Sequence, residues 1–142
     1  MLVTKRRGAV RILETALYAE NLAETADFYS QVLGLERFAE APGRHVFFRT
    51  EGQVLLLFRP SATRAPPPPD ARLAVPPHGA EGPGHVCFAA TGPEIDGWIE
   101  RLAAHGVGIE STVEWPQGGR SIYFRDPAGN SLEFAEPRIW GL

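Results

Sequence analysis

Between Arg59 and Gly84 the chain carries four consecutive prolines, Pro66 to Pro69, followed by Pro76, Pro77, Gly79, Gly82 and Pro83. Proline has no backbone N–H and a fixed φ, so this stretch can neither pair as a strand nor continue as a helix. It reads as a stiff polyproline-like linker that carries no chemistry. The residues on either side repeat one order of elements, which marks an internal duplication of about fifty residues per copy.

In the first copy, Ile12 to Tyr18 alternates as a strand does, with Leu13, Thr15 and Leu17 on one face and Ile12, Glu14, Ala16 and Tyr18 on the other. Leu22 to Leu33 places Phe28, Val32 and Leu33 at helical spacing, with acidic Glu24 and Asp27 near its start and Gly34 as its stop. Two strands follow, Arg44 to Thr50 and Gln53 to Phe58, joined by the turn residues Glu51 and Gly52. In the second copy a strand at His85 to Ala90 leads to a helix at Pro93 to His105, stopped by Gly106. Strands at Val107 to Glu114, Arg120 to Arg125 and Ser131 to Glu136 complete it.

The expected architecture is therefore α+β in one domain, residues 1–142: a first βαββ module at 9–60, the Pro-rich linker at 61–83 and a second βαββ module at 84–137. Each module buries one sheet face under its own helix. Side-by-side pairing would leave the other faces as a curved mixed sheet around a cleft.

Composition excludes several functions. The 14 basic and 17 acidic residues give no electrostatic footprint for a nucleic-acid backbone. No run approaches the roughly 20 apolar residues of a membrane-spanning helix. The basic start, Met1 to Arg11, lacks the apolar stretch of a secretory signal, and a single cysteine, Cys87, cannot close an internal disulfide, so a cytoplasmic location is expected.

Alternation directs one imidazole and two carboxylates to the cleft side. If Leu13 and Leu17 face the helix, Glu14 faces the cleft; His85, Cys87 and Ala89 do so from the equivalent strand, and Ser131, Glu133 and Ala135 from the last one. Two nearby buried carboxylates are costly unless a cation neutralises them. Glu14, His85 and Glu133 are the candidate metal ligands, a mixed nitrogen and oxygen set suited to Fe, Mn, Ni or Zn that leaves positions open for water or substrate. Cys87 shares that face and reads as a small buried filler.

The order βαββ, linker, βαββ, together with "TADFYSQVLGL" at 25–35, "GHVCF" at 84–88 and "SIYFRDPAGNSLEF" at 121–134, resembles the vicinal oxygen chelate superfamily. That group contains glyoxalase I, type I extradiol dioxygenases and the fosfomycin and bleomycin resistance proteins. The resemblance spans residues 9 to 137. It implies four ligand positions, which fall at Glu14, Leu56, His85 and Glu133. Leucine cannot ligate a cation, so three ligands remain, an arrangement nearer to the dioxygenases and fosfomycin-type thiol transferases than to glyoxalase I.

The resemblance also assigns a Tyr ten residues before the ligand Glu, which is Tyr123, ahead of an Asp-Pro-x-Gly turn matched by Asp126, Pro127 and Gly129. Where the dioxygenase pattern has a His, this chain has Glu114. The candidate catalytic residues are therefore Tyr123, Glu133 and Glu114, the last in the role of base. Arg120, His45 and Trp115 are candidates for holding substrate. The implied activity is metal-dependent and dioxygenase-like, on a small substrate that chelates through vicinal oxygens, and the resemblance further implies a homodimer. The alternatives are a fosfomycin-type transferase and a drug-sequestering protein of the bleomycin-resistance type, which Trp98, Trp115 and Trp140 would favour.

Overall fold

The computed structural model describes residues 9–142, so most of the basic start, Met1 to Gly8, lies outside the described residues. Two four-stranded mixed sheets carry the fold. The first contains β1 (Glu14–Tyr18), β2 (Glu36–Ala41), β3 (His45–Thr50) and β4 (Gln53–Phe58), with α1 (Leu22–Gln31) after β1. A short helix, α2 (Pro60–Thr63), opens the Pro-rich segment. The second sheet contains β5 (His85–Ala89), β6 (Ser111–Glu114), β7 (Arg120–Arg125) and β8 (Ser131–Ala135), with α3 (Gly92–Ala104) after β5.

Their strand orders, β1-β4-β3-β2 and β5-β8-β7-β6, are the same order used twice. In each, the first strand runs parallel to the fourth, and the remaining pairs are antiparallel. The duplication is therefore structural, with three strands after each helix. Strand β2 was not expected from the sequence: a bulge between Arg37 and Ala39 shifts its register and breaks the period-two pattern. Strand β6 is shorter than expected, because its first residues, 107 to 110, run as loop behind Gly106, which sits at φ 73°.

The helices form for local reasons. Thr91 and Glu94 cap α3 reciprocally: the Thr91 hydroxyl accepts from the Glu94 N–H at 3.2 Å, and the Glu94 carboxylate accepts from the Thr91 N–H at 2.8 Å. Ile95 and Leu102, two helical turns apart, are fully buried beneath it. Helix α1 buries Leu22, Ala26, Phe28 and Tyr29.

One core serves both sheets. Rings run from Phe48 through Tyr29 and Phe28 to Phe124, Phe134 and Trp98, crossing from the first sheet to the second through α1. The Tyr29 hydroxyl donates to Asp126 at 2.6 Å, and Arg101 of α3 donates to the carbonyls of Val32 and Gln31 at the end of α1. A cation there also suits the negative end of the helix. The helix-bearing faces thus meet in a common interior, and the opposite faces, which hold Glu14 in one sheet and Glu133 in the other, are turned away from it. Among the described residues no helix is long and apolar enough to cross a membrane.

Candidate metal centre and substrate cleft

Burial on the second sheet alternates around one acidic residue. Leu132 and Phe134 of β8 enter the core, which leaves Glu133 on the outer face between Cys87 of β5 and Tyr123 of β7, its partners in register. Glu133 is only 6% exposed. His85 lies two residues before Cys87 on the same face, and its Nε2 is 3.3 Å from a Glu133 carboxylate oxygen.

The other ring nitrogen fixes the chemistry of that contact. Nδ1 of His85 lies 2.9 Å from the carbonyl oxygen of Ser131, which can only accept, so Nδ1 carries the proton. In the neutral ring Nε2 is then a bare lone pair facing a carboxylate, two acceptors with nothing between them. A cation removes that conflict, either a second proton or a metal ion. The donor set therefore fits a divalent metal as far as one chain supplies it.

A turn locks these two residues in place. The Asp126 carboxylate accepts from the backbone N–H groups of Ala128 and Asn130, and Gly129 at φ 88° closes the turn. Asn130, buried, accepts from the Gly84 N–H at 2.7 Å and donates to the Tyr18 carbonyl at 3.1 Å. It thus ties the end of β1 to the residue before His85. Sequence reasoning passed over Asn130 because its partners lie 46 and 112 positions away.

Tyr123 stacks beside His85, ring centroids 6.4 Å apart at 23°. Burial, and then the Glu133 carboxylate, raise its pKa, so its hydroxyl remains a proton donor at neutral pH. The same two causes push the Cys87 thiol up to about 12. Cys87 retains solvent contact on this face, in contrast to the buried filler expected. Trp115 borders the face, its indole N–H donating to Ser121 at 2.8 Å.

Two candidates fall elsewhere. Arg120 alternates to the helix side, where its guanidinium holds Asp96 at 2.9 Å and the Gly92 carbonyl at 2.8 Å, so it is a tie between β7 and α3 rather than an anion holder on this face. Glu114 pairs in register with Arg120 and shares that side, away from Glu133. The period-two rule that placed Tyr123 on the cleft side placed both of these on the other.

The outer face of the first sheet is of another kind. Glu14 stands exposed at the start of β1, at the rim of a cavity of about 680 Å³. Its floor is aromatic and apolar: Phe47 and Leu56 from the sheet centre, with Phe58 and His45 beside them. His45 stacks on Phe47 with centroids 4.0 Å apart at 9°. Burial, and then repulsion from Arg44, lower the His45 pKa, so the ring is neutral at physiological pH. Leu56, at the fourth ligand position implied by the resemblance, is part of this floor. The remaining wall is the Pro-rich segment itself, which lies over the sheet from Ala65 to His78.

Within one chain, then, His85 and Glu133 meet, and Glu14 lies on the outer face of the other sheet. Among the described residues no group of three His, Cys, Asp or Glu side chains is placed to hold a metal ion.

The model of the Glyoxalase/Bleomycin resistance protein/Dioxygenase superfamily matches residues 11–134, nearly the whole of both modules. The chain belongs to this superfamily. Among solved structures, a lactoylglutathione lyase from Agrobacterium tumefaciens is 43% identical with a TM-score of 0.88, over 96% of this chain and 100% of that one. A glyoxalase/bleomycin resistance protein/dioxygenase from Nocardioides is 29% identical with a TM-score of 0.69, over 94% and 86% of the two chains. The oxidase ChaP-H2 has a TM-score of 0.60 at 22% identity, over 89% and 93%, a likeness of fold alone. None of the curated proteins matches the chain.

Proposed function

We propose that this superfamily member is a metal-dependent lyase of the glyoxalase kind, with each active site assembled from two copies of the chain. The observation that carries it is the His85 and Glu133 pair, whose facing acceptors call for a cation. Glu14 of a second copy would supply the third ligand, because in a single chain it lies on the other outward face. Pairing the outer face of one first sheet with that of another second sheet gives two equivalent clefts in a closed dimer.

The sequence alone ranks dioxygenase-like chemistry above glyoxalase I, on the strength of Leu56. The 43% identical relative, covered over its full length and named a lactoylglutathione lyase, supports the opposite order. A divalent ion held by His85, Glu133 and Glu14 would polarise two adjacent oxygens of a small substrate and acidify the neighbouring C–H. Ser131 fixes the His85 tautomer through its carbonyl, which keeps Nε2 free of a proton. Tyr123, protonated at neutral pH, donates a hydrogen bond toward charge developing on a substrate oxygen. The proton taken from the carbon bearing sulfur would pass to a carboxylate and return to the adjacent carbon as the thioester forms, and Glu14 and Glu133 are the acidic groups that the paired faces would bring together.

Hybrid dimers test the assembly. Glu14→Ala and Glu133→Ala chains, each inactive alone, should regain about a quarter of wild-type activity when unfolded together and refolded in equal amounts, since half the dimers are hybrids with one intact site. No recovery from the mixture would place all ligands in one chain. The chemistry is tested separately by thioester formation from a hemithioacetal of a 2-oxoaldehyde.

A second reading, extradiol dioxygenase, is favoured by one observation, the packing of Tyr123 against His85 and Glu133. Oxygen consumption with catechols by the Fe(II)-loaded protein, in the absence of thioester formation, would select it.

A further inference from the structure

The segment between Arg64 and Glu81 is a closed strap rather than a spacer. Its two ends are pinned together: the His78 N–H donates to the Thr63 carbonyl at 3.0 Å, Arg64 pairs with Glu81 at 2.5 Å, and Gly79 packs so closely that a Cβ there would lie 2.7 Å from the Arg64 side chain. Its body is pinned to the sheet. His78 meets the Phe58 ring edge-on at 4.5 Å and shares a hydrogen bond of 2.7 Å with the Tyr18 hydroxyl.

The space enclosed between strap and sheet has a definite chemistry. Glu14 and Arg44, the charged side chains that line it, stand among aromatic, aliphatic and proline residues. His45 and Phe47 stack face to face, and Phe38 and Phe58 also pack against Phe47, so this side of the cavity is a cluster of rings. From the strap, Leu73 and Val75 line the same cavity while remaining 79% and 52% exposed. Large aliphatic side chains held at the rim of an apolar cavity gain most when a flat apolar group covers them.

We infer that this cavity takes a flat, uncharged aromatic group carried by the substrate, and that the Pro-rich strap is a specificity-determining wall of the site. The inference rests on the proposed function in assigning the first-sheet face to the substrate cleft. Aromatic groups fit on two grounds: the ring-lined floor, and a lining in which Glu14 and Arg44 are the charged side chains among aromatic, aliphatic and proline residues. Stiff proline backbone keeps this wall ordered before a group binds, which limits the entropy lost on binding.

N-phenyl-1-naphthylamine, a neutral aromatic amine whose fluorescence rises in apolar surroundings, tests it directly. The expected result is saturable binding of one molecule per chain, with Kd raised about tenfold or more by Phe47→Asp and about threefold to tenfold by either Leu73→Asp or His78→Ala. Leu73 is largely exposed, so its variant remains informative where Phe47→Asp fails to fold. Glu110→Gln, at an exposed ion pair with Arg125 that does not line the cavity, should leave the Kd within about twofold. No saturable binding by the wild-type protein would overturn the inference, and so would a Kd unchanged by both Leu73→Asp and His78→Ala. Saturable probe binding by protein that takes up no divalent metal would sink the metal reading alone, and metal uptake without saturable probe binding would sink this one.

Discussion

The two outward faces are built on one strand order and do opposite things. On the second sheet the central position is Glu133, flanked by Cys87, Tyr123 and His85, a polar face able to hold a cation. On the first sheet the equivalent central position is Leu56, between Ala16 and Phe47, an apolar face covered by a strap. The inward faces of both are alike, aliphatic and aromatic, because both must close one core. Duplication preserved what packing requires and released what packing does not constrain, and the site residues lie in the released part.

That contrast can be broken experimentally, most forcefully at Cys87. With its pKa near 12, its thiolate at pH 8 should be about a thousandfold scarcer than that of an ordinary thiol, and alkylation by iodoacetamide correspondingly slow. Glu133→Gln should speed the reaction, since the carboxylate contributes to the shift. A wild-type rate matching a free thiol would mean that neither partial burial nor Glu133 holds the Cys87 thiol protonated.

Next in size is metal affinity. Glu133→Gln or His85→Ala should weaken it at least about a hundredfold, and Glu14→Gln less. Competition with a chromogenic chelator reads both, and equal losses at Glu14 and at a neutral surface control would remove Glu14 from the site. Tyr123→Phe should then lower kcat by about tenfold to a hundredfold with metal content unchanged. A fall in metal stoichiometry instead would make Tyr123 part of the metal's support.

The smallest effect belongs to the first face. His45 has a folded pKa below its ordinary 6.5, so the unfolded chain takes up more protons there. Its contribution is present above pH 6.5 and lost as pH falls toward the folded value. Wild-type Tm should therefore drop more between pH 7 and pH 5 than that of His45→Phe. A parallel decline in the two would show that His45 protonates freely and that the aromatic floor is wetter than its burial implies.

Much of this was legible in residue order. The outward placement of Glu14, His85, Glu133 and Tyr123 follows from alternation, which the pleat enforces wherever the opposite face is buried. Strand β2 is hidden because its bulge breaks that alternation, while Glu114, named through the resemblance, and Arg120 pair in register and turn to the other side of the sheet. The packing of the two modules on each other was less legible, because it depends on contacts such as Tyr29 with Asp126, 97 positions apart. The strap was read as inert for a similar reason, since its meaning lies in what it covers.

Because that strap is pinned at its ends by Thr63, Arg64, His78 and Glu81, its interior is a cassette. Lengthening or shortening it between those anchors costs little in loop entropy and touches neither module's core. On the proposed reading, the range of bound ligands would then drift by small insertions and deletions in one exposed stretch, while both sheets and the fold stay unchanged.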